Sequence, residues 1–180
     1  MSQLTIYRDE DPAKPVFQSK IGDEISAKLA EVDVRFERWR ASAEITPDLS
    51  NDEIIDAYRA DIDRLKSEGG YQTVDVVSMY PEHPDRVVFR QKFLFEHRHI
   101  EDEVRFFVAG QGLFCLHIDG HVYQVLCERE DLISVPENTP HWFDMGSTPT
   151  FTAIRLFNNT EGWVAHATEL DIAKRFPLLS

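Results

Sequence analysis

The sequence predicts a mainly β protein with α additions, in which a helical and mixed N-terminal half leads into an all-β C-terminal half. From residue 103 onward, short β-type runs follow one another with turn signals between them. Before residue 95, amphipathic helical stretches alternate with extended ones. Closely spaced strands without intervening helices indicate an antiparallel sandwich or barrel.

The N-terminal half opens with a segment that has no clear period. Residues 1–21 look irregular because Asp11-Pro12 and Lys14-Pro15 interrupt any pattern. The elements predicted after it are a short amphipathic stretch over 23–32, a strand over 34–39, a helix over 51–67, a strand over 71–79 and a short helix over 84–94. Ser50 or Asn51 can cap the helix over 51–67, and Gly69-Gly70 stops it.

The C-terminal half contains a series of predicted strands, over residues 103–108, 113–118, 122–127, 132–135, 141–145 and 151–157. Asp119-Gly120 is a two-residue hairpin signature, and residues 169–176 suggest a closing helix. We expect one domain over 1–180. It would comprise an N-terminal α+β extension (about 1–95), a β-barrel (about 96–160) and a C-terminal tail (161–180).

Composition excludes several classes of function. The chain has 180 residues, and its formal net charge of −13 opposes binding to nucleic acid or to an anionic membrane surface. No apolar run approaches the roughly 20 residues that span a bilayer, and the N-terminus lacks an apolar signal core. We therefore expect a cytoplasmic protein. Cys115 and Cys127 lie in apolar runs and are interpreted as reduced core residues.

Three histidines and one glutamate suit a single metal ion. His97 and His99 are two positions apart, so in a strand they point to the same face. If the chain turns after His99 and Glu103 begins the next strand, the Glu103 carboxylate reaches the same ion, and His141 would come from a later strand. Imidazole and carboxylate together favour divalent iron, nickel, cobalt, manganese or zinc.

Two alternatives compete with this interpretation. An isolated His-x-His pair is more often a surface or hydrogen-bonded pair, but the added Glu103 and the Pro136-x-x-x-x-His141 element favour ligation. A structural metal would usually occupy a closed tetrahedral site, often with thiolates, and the two cysteines lie elsewhere.

The same residues carry a family resemblance that spans nearly the whole chain. His97-x-His99-(three residues)-Glu103-(six residues)-Gly110 matches the first cupin motif, and Pro136 followed by His141 matches the second. The strings around residues 96–107, 133–136, 140–146 and 151–157 closely resemble those of acireductone dioxygenases. Departures are Gln91, Glu130 and Asn138 where the general cupin pattern has Gly, Met145 where it has Asn, and Ile100 where this family commonly has Gly.

The resemblance implies a cupin double-stranded β-helix barrel with one Fe(II) or Ni(II), held by His97, His99, Glu103 and His141. The implied reaction cleaves acireductone (1,2-dihydroxy-3-keto-5-methylthiopentene) with O2, in methionine salvage. With Fe(II) the family yields formate and 4-methylthio-2-oxobutanoate. With Ni(II) it yields formate, carbon monoxide and 3-methylthiopropanoate. Monomers are common in the family, so a monomer is expected.

Four further residues are candidates for supporting roles. Arg105 shares a face with Glu103, and the resemblance implies that it stabilises the substrate dianion; the alternative is a surface ion pair. The resemblance links Glu96 to metal incorporation and Asp102 to conformational change around the metal, against the alternative that both are solvated acids. Arg155 is either a second substrate contact or part of a structural ion pair.

Aromatic residues are candidates for a pocket that holds the methylthio tail, although barrel aromatics are more often core. The candidates are Phe93, Phe107, Phe143 and Trp163. The remaining histidines have no metal-type spacing and are interpreted as surface or hydrogen-bonded residues: His83, His117, His121 and His166. Two other functions remain open: a cupin isomerase or decarboxylase that needs no O2, and a binding module whose metal is structural.

Overall fold

The computed structural model describes residues 1–159, 164–168 and 170–180. In chain order, its strands are β1 (Gln3–Arg8), β2 (Asp11–Ser19), β3 (Arg35–Arg38), β4 (Thr73–Met79), β5 (His97–Arg98), β6 (Glu103–Ile118), β7 (His121–Glu128), β8 (Asp131–Val135), β9 (His141–Asp144), β10 (Phe151–Phe157) and β11 (His166–Ala167). The helices are α1 (Gly22–Ala30), α2 (Asn51–Ala57), α3 (Arg59–Gly69) and α4 (Arg86–Phe93), and a 3₁₀ turn covers Ile172–Arg175.

Two antiparallel sheets share the long strand β6. Its C-terminal part lies between β9 and β7 in a sheet of order β11-β5-β9-β6-β7-β1-β2. Its N-terminal part lies between β10 and β8, with β4 and β3 outside them. The prediction of a mainly β fold with added helices is confirmed. Among the helices of the described residues, none is long and apolar enough to cross a membrane.

The prediction that residues 1–21 are irregular is wrong, because this segment forms β1 and β2. Pro12 and Pro15 lie in β2, which is the last strand of its sheet and, among the described strands, pairs only with β1. An edge strand tolerates proline because one side of its backbone makes no ladder hydrogen bonds. The β1–β2 register also shifts near Pro15, between Ile6 and Tyr7 and again before Arg8. Proline therefore marked an edge strand here and not an irregular segment.

The two strands predicted over 103–108 and 113–118 form one continuous strand. Gly110 has φ +66°, and a Cβ built on it would lie 1.8 Å from the carbonyl oxygen of Thr150. The pairing with β10 shifts register between Thr152 and Ala153. Gly110 therefore lets the strand bend without ending, so the two predicted strands are one.

The helix predicted over 51–67 begins as expected but divides in two. Ser50 and Glu53 form a capping box at its start, and Gly70, with φ +68°, ends α3. Tyr58 interrupts the helix at φ −114°. Its ring packs edge-on against Phe106, and its hydroxyl accepts a hydrogen bond from the backbone N–H of Ala43. At the other end of the chain, the closing helix is a 3₁₀ turn, and residue 169 lies outside the described residues.

Tight turns keep left-handed backbone where the sequence suggested it. Asp119 and Gly120 both have positive φ, as the hairpin prediction requires. Glu130 has φ +82° and Asn138 has φ +57°, so both positions keep the conformation that glycine adopts easily. These two departures from the general cupin pattern therefore change the residue and not the turn.

Candidate metal centre

Three buried imidazoles meet where β5 lies beside β9. His97 on β5 is the register partner of His141, the first residue of β9. His99 follows β5 directly, and the centroid of its ring lies 5.1 Å from that of His97 and 5.2 Å from that of His141. One ring nitrogen from each of the three residues lies within 4.8 Å of the others. This geometry agrees with the predicted convergence of the histidines.

Glu103 completes the cluster from the first position of β6. Its Oε2 lies 3.4 Å from Nε2 of His99 and 3.6 Å from Nε2 of His141. Within the described residues, Glu103 Oε2 and His141 Nε2 are buried atoms without a hydrogen-bond partner. Buried polar atoms without partners are costly. A divalent cation would satisfy both atoms, so the donor set fits the metal that the resemblance implies.

Backbone carbonyl groups set the tautomer of all three imidazoles. Nδ1 of His97 lies 2.7 Å from the carbonyl oxygen of Phe95, and Nδ1 of His141 lies 2.8 Å from that of Thr139. Nδ1 of His99 lies 3.0 Å from the carbonyl oxygen of Val164. Because a carbonyl oxygen only accepts, each Nδ1 must carry the proton. Each neutral ring therefore offers the Nε2 lone pair to a metal.

Burial favours the neutral form of His97 and His99, whereas a neighbouring positive charge favours the ionised form of Glu103. Burial, reinforced by His141, lowers the pKa of His97 to about 3, and burial also lowers the pKa of His99. For Glu103, burial is the largest influence and raises the pKa. The adjacent Arg105 cation opposes this effect, and the pKa lies well below its ordinary value. Neutral imidazole and ionised carboxylate are the metal-binding forms of these groups.

A cavity of about 490 Å³ opens beside the imidazoles. It is enclosed by β4, α4 and β10, and its lining comprises Asn51, Val76, Val77, Ser78, Met79, His83, Phe89, Lys92, Phe93, His97, His99, Arg105, Arg155 and Ala165. A cavity of similar volume lies at the C-terminal tail, around Gly110 and Ser180, and contains none of the clustered histidines. The cavity at the imidazoles is therefore the candidate substrate site.

Arg105 lies where the alternation of β6 predicts it, on the same face as Glu103. Its Nε donates to Glu103 Oε1 over 2.5 Å, and its side chain is only 4% exposed. The guanidinium also lies over the rings of Phe114 and Phe143, at 4.9 Å and 5.0 Å from their centroids. The alternative of a surface ion pair is therefore wrong. This buried cation lies on the wall of the cavity.

Arg155 makes the structural ion pair that one interpretation predicted, and it also lines the cavity. It donates to both carboxylate oxygens of Asp75, over 2.9 Å and 2.5 Å. Asp75 is its register partner on β4. Of the aromatic candidates, Phe93 lines the cavity. Phe107 and Phe143 are core residues, and Trp163 lies outside the described residues.

Glu96 is buried, but the imidazole that it contacts is not one of the cluster. Its Oε2 accepts from Nδ1 of His117 over 2.8 Å, and its Oε1 accepts from the hydroxyl of Thr168. Nε2 of His117 lies 3.2 Å from a carboxylate oxygen of Asp9, in the turn between β1 and β2. The expectation that His117 is hydrogen-bonded is confirmed. Its partners were not predicted because they lie far apart in sequence.

Asp102 joins the turn before β6 to the loop before β9. Its Oδ1 accepts from the backbone N–H of Glu137 over 2.8 Å, and the N–H of Asn138 donates to the carbonyl oxygen of His99 over 2.8 Å. Asp102 is therefore a partner in a loop contact and not merely a solvated acid.

Sequence reasoning missed His83 and Lys92 as cavity residues. Neither has a spacing signal that could have revealed it.

Comparisons with known proteins give consistent matches to one family. The profile of the ARD/ARD' family matches residues 3–165. The chain is 61% identical over 179 residues to an acireductone dioxygenase of Pseudomonas aeruginosa, which covers 99% of both chains. It is 59% identical over 180 residues to one from Synechococcus sp., again with 99% of both chains covered.

A solved structure extends the likeness to the fold. An acireductone dioxygenase from Bacillus anthracis, described with a cadmium ion in its active centre, superposes with a TM-score of 0.79 at 32% identity. The match covers 92% of this chain and 97% of that one. The fold is thus that of a cupin-type dioxygenase, and the chain belongs to the ARD/ARD' family of acireductone dioxygenases.

Proposed function

We propose that this protein cleaves acireductone with O2, using one divalent metal ion bound by His97, His99, Glu103 and His141. One observation carries the proposal. Three buried imidazoles, each with Nδ1 donating to a backbone carbonyl oxygen, face the Glu103 carboxylate, whose Oε2 has no hydrogen-bond partner among the described residues. This arrangement borders a cavity in a chain that is 61% identical to a curated acireductone dioxygenase.

The metal is Fe(II) or Ni(II) in this proposal, since nitrogen and oxygen donors suit both ions. Held by His97, His99, Glu103 and His141, it would supply Lewis-acid chemistry that favours loss of the enediol protons. The Fe(II) form would give formate and 4-methylthio-2-oxobutanoate. The Ni(II) form would give formate, carbon monoxide and 3-methylthiopropanoate. Either product set contains all atoms of acireductone and both atoms of O2.

The residues around the cluster prepare the substrate for oxidation. Acireductone is an enediol conjugated to a ketone, and its dianion is the electron-rich form that O2 attacks. The buried Arg105 guanidinium favours that dianion because it places a fixed positive charge on the cavity wall. Phe114 and Phe143 hold the guanidinium in place. Val77, Met79 and Phe93 form an apolar surface suited to the methylthio tail.

Glu96 and Asp102 act on the cluster through the backbone in this proposal. Glu96 immediately precedes His97, and its bonds to His117 and Thr168 fix the start of β5. Asp102 tethers the loop that leads into His141. Both are positioning residues, since neither lies on the cavity.

We further propose that the chain acts in methionine salvage as a cytoplasmic monomer with one domain, and that it binds neither nucleic acid nor membranes. The net charge of −13 supports this setting because it repels phosphate backbones and anionic lipid. The likeness to acireductone dioxygenases over almost their entire length supports the pathway assignment.

Reconstitution tests the proposal directly. The metal-free protein is loaded with Fe(II), and O2-dependent loss of the acireductone chromophore is followed together with formate and keto-acid formation. We expect fast decay with Fe(II) and a change to carbon monoxide formation with Ni(II). Turnover in the absence of O2 would indicate an isomerase or decarboxylase. Decay no faster than spontaneous oxidation, in protein shown to hold metal, would contradict the proposal.

A further inference from the structure

The candidate substrate cavity has the opposite charge to the rest of the chain. The sequence contains 32 acidic and 19 basic residues. Among the described residues that line the cavity there is no aspartate or glutamate, whereas Lys92, Arg105 and Arg155 all line it. A local excess of cations within a strongly acidic protein focuses the electrostatic field on that cavity.

Two of these three cations already have carboxylate partners. Arg105 donates to Glu103 over 2.5 Å, and Arg155 makes two hydrogen bonds to Asp75. Lys92 makes no ion pair with any described residue, and its side chain is exposed in the last turn of α4. Its positive charge is therefore the uncompensated one on the cavity lining.

An anionic substrate needs such a charge to approach this protein. The enediol of acireductone readily loses a proton, and the resulting anion meets a chain with a net charge of −13. Repulsion from distant carboxylates is screened beyond a Debye length of about 8 Å at physiological salt, so charges at the entrance dominate the final approach. On the cavity lining, Lys92 is exposed to solvent, whereas the guanidinium of Arg105 is buried.

We propose that Lys92 is the substrate-capture residue, which draws the enediolate anion into the cavity and offsets its charge at the entrance. The inference rests on the proposed function, since it takes acireductone as the ligand. It assigns Lys92 a role in substrate entry and affinity and leaves the chemical step to the residues around the metal. The determinant is the charge of the side chain, so we expect an arginine at this position to serve as well as the lysine.

The test compares charge changes at two lysines. Lys92→Glu and Lys92→Gln are measured beside Lys14→Glu, which makes the same charge change on the edge strand β2, away from the cavity. At an ionic strength of about 10 mM, we expect Lys92→Glu to lower kcat/KM about tenfold, Lys92→Gln about threefold and Lys14→Glu less than twofold. At about 0.5 M salt, the effect of Lys92→Glu falls to about twofold. Lys92→Arg retains the wild-type value within about twofold.

A second measurement separates this inference from the proposed function. Acireductone is titrated anaerobically into metal-loaded wild type and variants, so that binding is observed without turnover. Weaker binding by Lys92→Glu than by Lys14→Glu, relieved by salt, supports the role of Lys92 even if the reaction with O2 proves to be different. Equal binding by Lys92→Glu and Lys14→Glu, or a loss in Lys92→Glu that salt does not change, would overturn it. Circular dichroism and metal content confirm that each variant is folded and loaded.

Discussion

Histidine side chains in two regions of the same sheet meet opposite surroundings. In the metal cluster, Nδ1 of His97 and of His141 meets a backbone carbonyl oxygen, and the Nε2 atoms are left to face the cluster. His117, on the strand beside β9, has a carboxylate at each ring nitrogen: Glu96 at 2.8 Å and Asp9 at 3.2 Å. The residue type is the same, but the partners are neutral dipoles in one region and charges in the other.

Burial in the first region and carboxylate partners in the second set the pKa of each ring. Burial lowers the pKa of His97 to about 3, which keeps a neutral ligand ready for a cation. The hydrogen bond to Glu96, followed by that to Asp9, raises the pKa of His117 against the effect of burial. The first region is therefore suited to bind a cation, and the second favours the protonated form of its ring. Sequence spacing distinguished the two, but it could not show how each ring is paired.

The largest expected effect comes from removing a cluster histidine. His141→Ala removes a ring whose Nε2 faces the carboxylate of Glu103, so we expect loss of bound metal and a decrease in kcat/KM of at least about 10³-fold. His117→Ala is the matched control and should retain metal, with a decrease below about tenfold. Metal analysis and O2-dependent turnover measure both. Full metal occupancy in His141→Ala would contradict the assignment of the cluster.

The next largest effect concerns Arg105, the cation on the cavity wall that pairs with Glu103. Arg105→Ala removes the positive charge that favours the substrate dianion, so we expect kcat to fall by about 10²-fold while metal is retained. Arg105→Lys keeps the charge but not the planar contacts with Phe114 and Phe143, and it should recover part of the loss. Stopped-flow kinetics on metal-loaded protein measures both variants. Unchanged turnover in Arg105→Ala would refute the role.

A smaller effect follows from the raised pKa of His117. A group whose pKa is higher in the folded state stabilises the fold fully below its unfolded pKa of about 6.5, and this stabilisation is lost as pH rises through the folded value. His117→Gln should therefore lower the free energy of unfolding by about 1 kcal/mol at pH 5.5 and by less at pH 8.5. Urea unfolding across this range measures the difference. His121→Gln, beside a backbone carbonyl oxygen, is the control that should show no such trend.

The smallest expected effect is at Asp102, which holds the loop leading to His141. Asp102→Ala leaves the N–H of Glu137 without its acceptor, so we expect the free energy of unfolding to fall by about 1 kcal/mol. Asp102→Asn retains an acceptor oxygen and should lose less than half of that amount. Urea midpoints measure both. Equal losses in the two variants would show that the charge of Asp102, and not its hydrogen bond, stabilises the loop.

Local patterns predicted the elements well where each element has a single local cause. The capping box at Ser50 and the hairpin at Asp119-Gly120 satisfy backbone groups within a few residues, so the sequence reveals them directly. The β2 strand was missed because proline is tolerated only at a sheet edge, and edge position is a tertiary property. The continuity of β6 through Gly110 was not predicted because it depends on the close approach of Thr150, the residue before β10.

The candidate site divides in the same way. Four clustered residues were predicted because their spacing repeats the strand period and the cupin motifs, and the structure brings their side chains together. The pairing of Arg155 with Asp75 follows from the register of β10 against β4, which no local pattern states. The contact among Asp9, Glu96 and His117 likewise joins three segments far apart in the chain, so only the tertiary structure reveals it.

The sequence by itself determined the donor set and the strands that carry it, because ligand chemistry and strand alternation are properties of nearby residues. It also determined the acidic surface, since net charge needs no coordinates. Only the tertiary structure decided which buried groups are paired and which are left over. Glu103 Oε2 has no hydrogen-bond partner and Lys92 has no ion pair among the described residues, because the strands and helices around them supply none. Pairing depends on distances between elements far apart in the chain, and folding alone sets those distances.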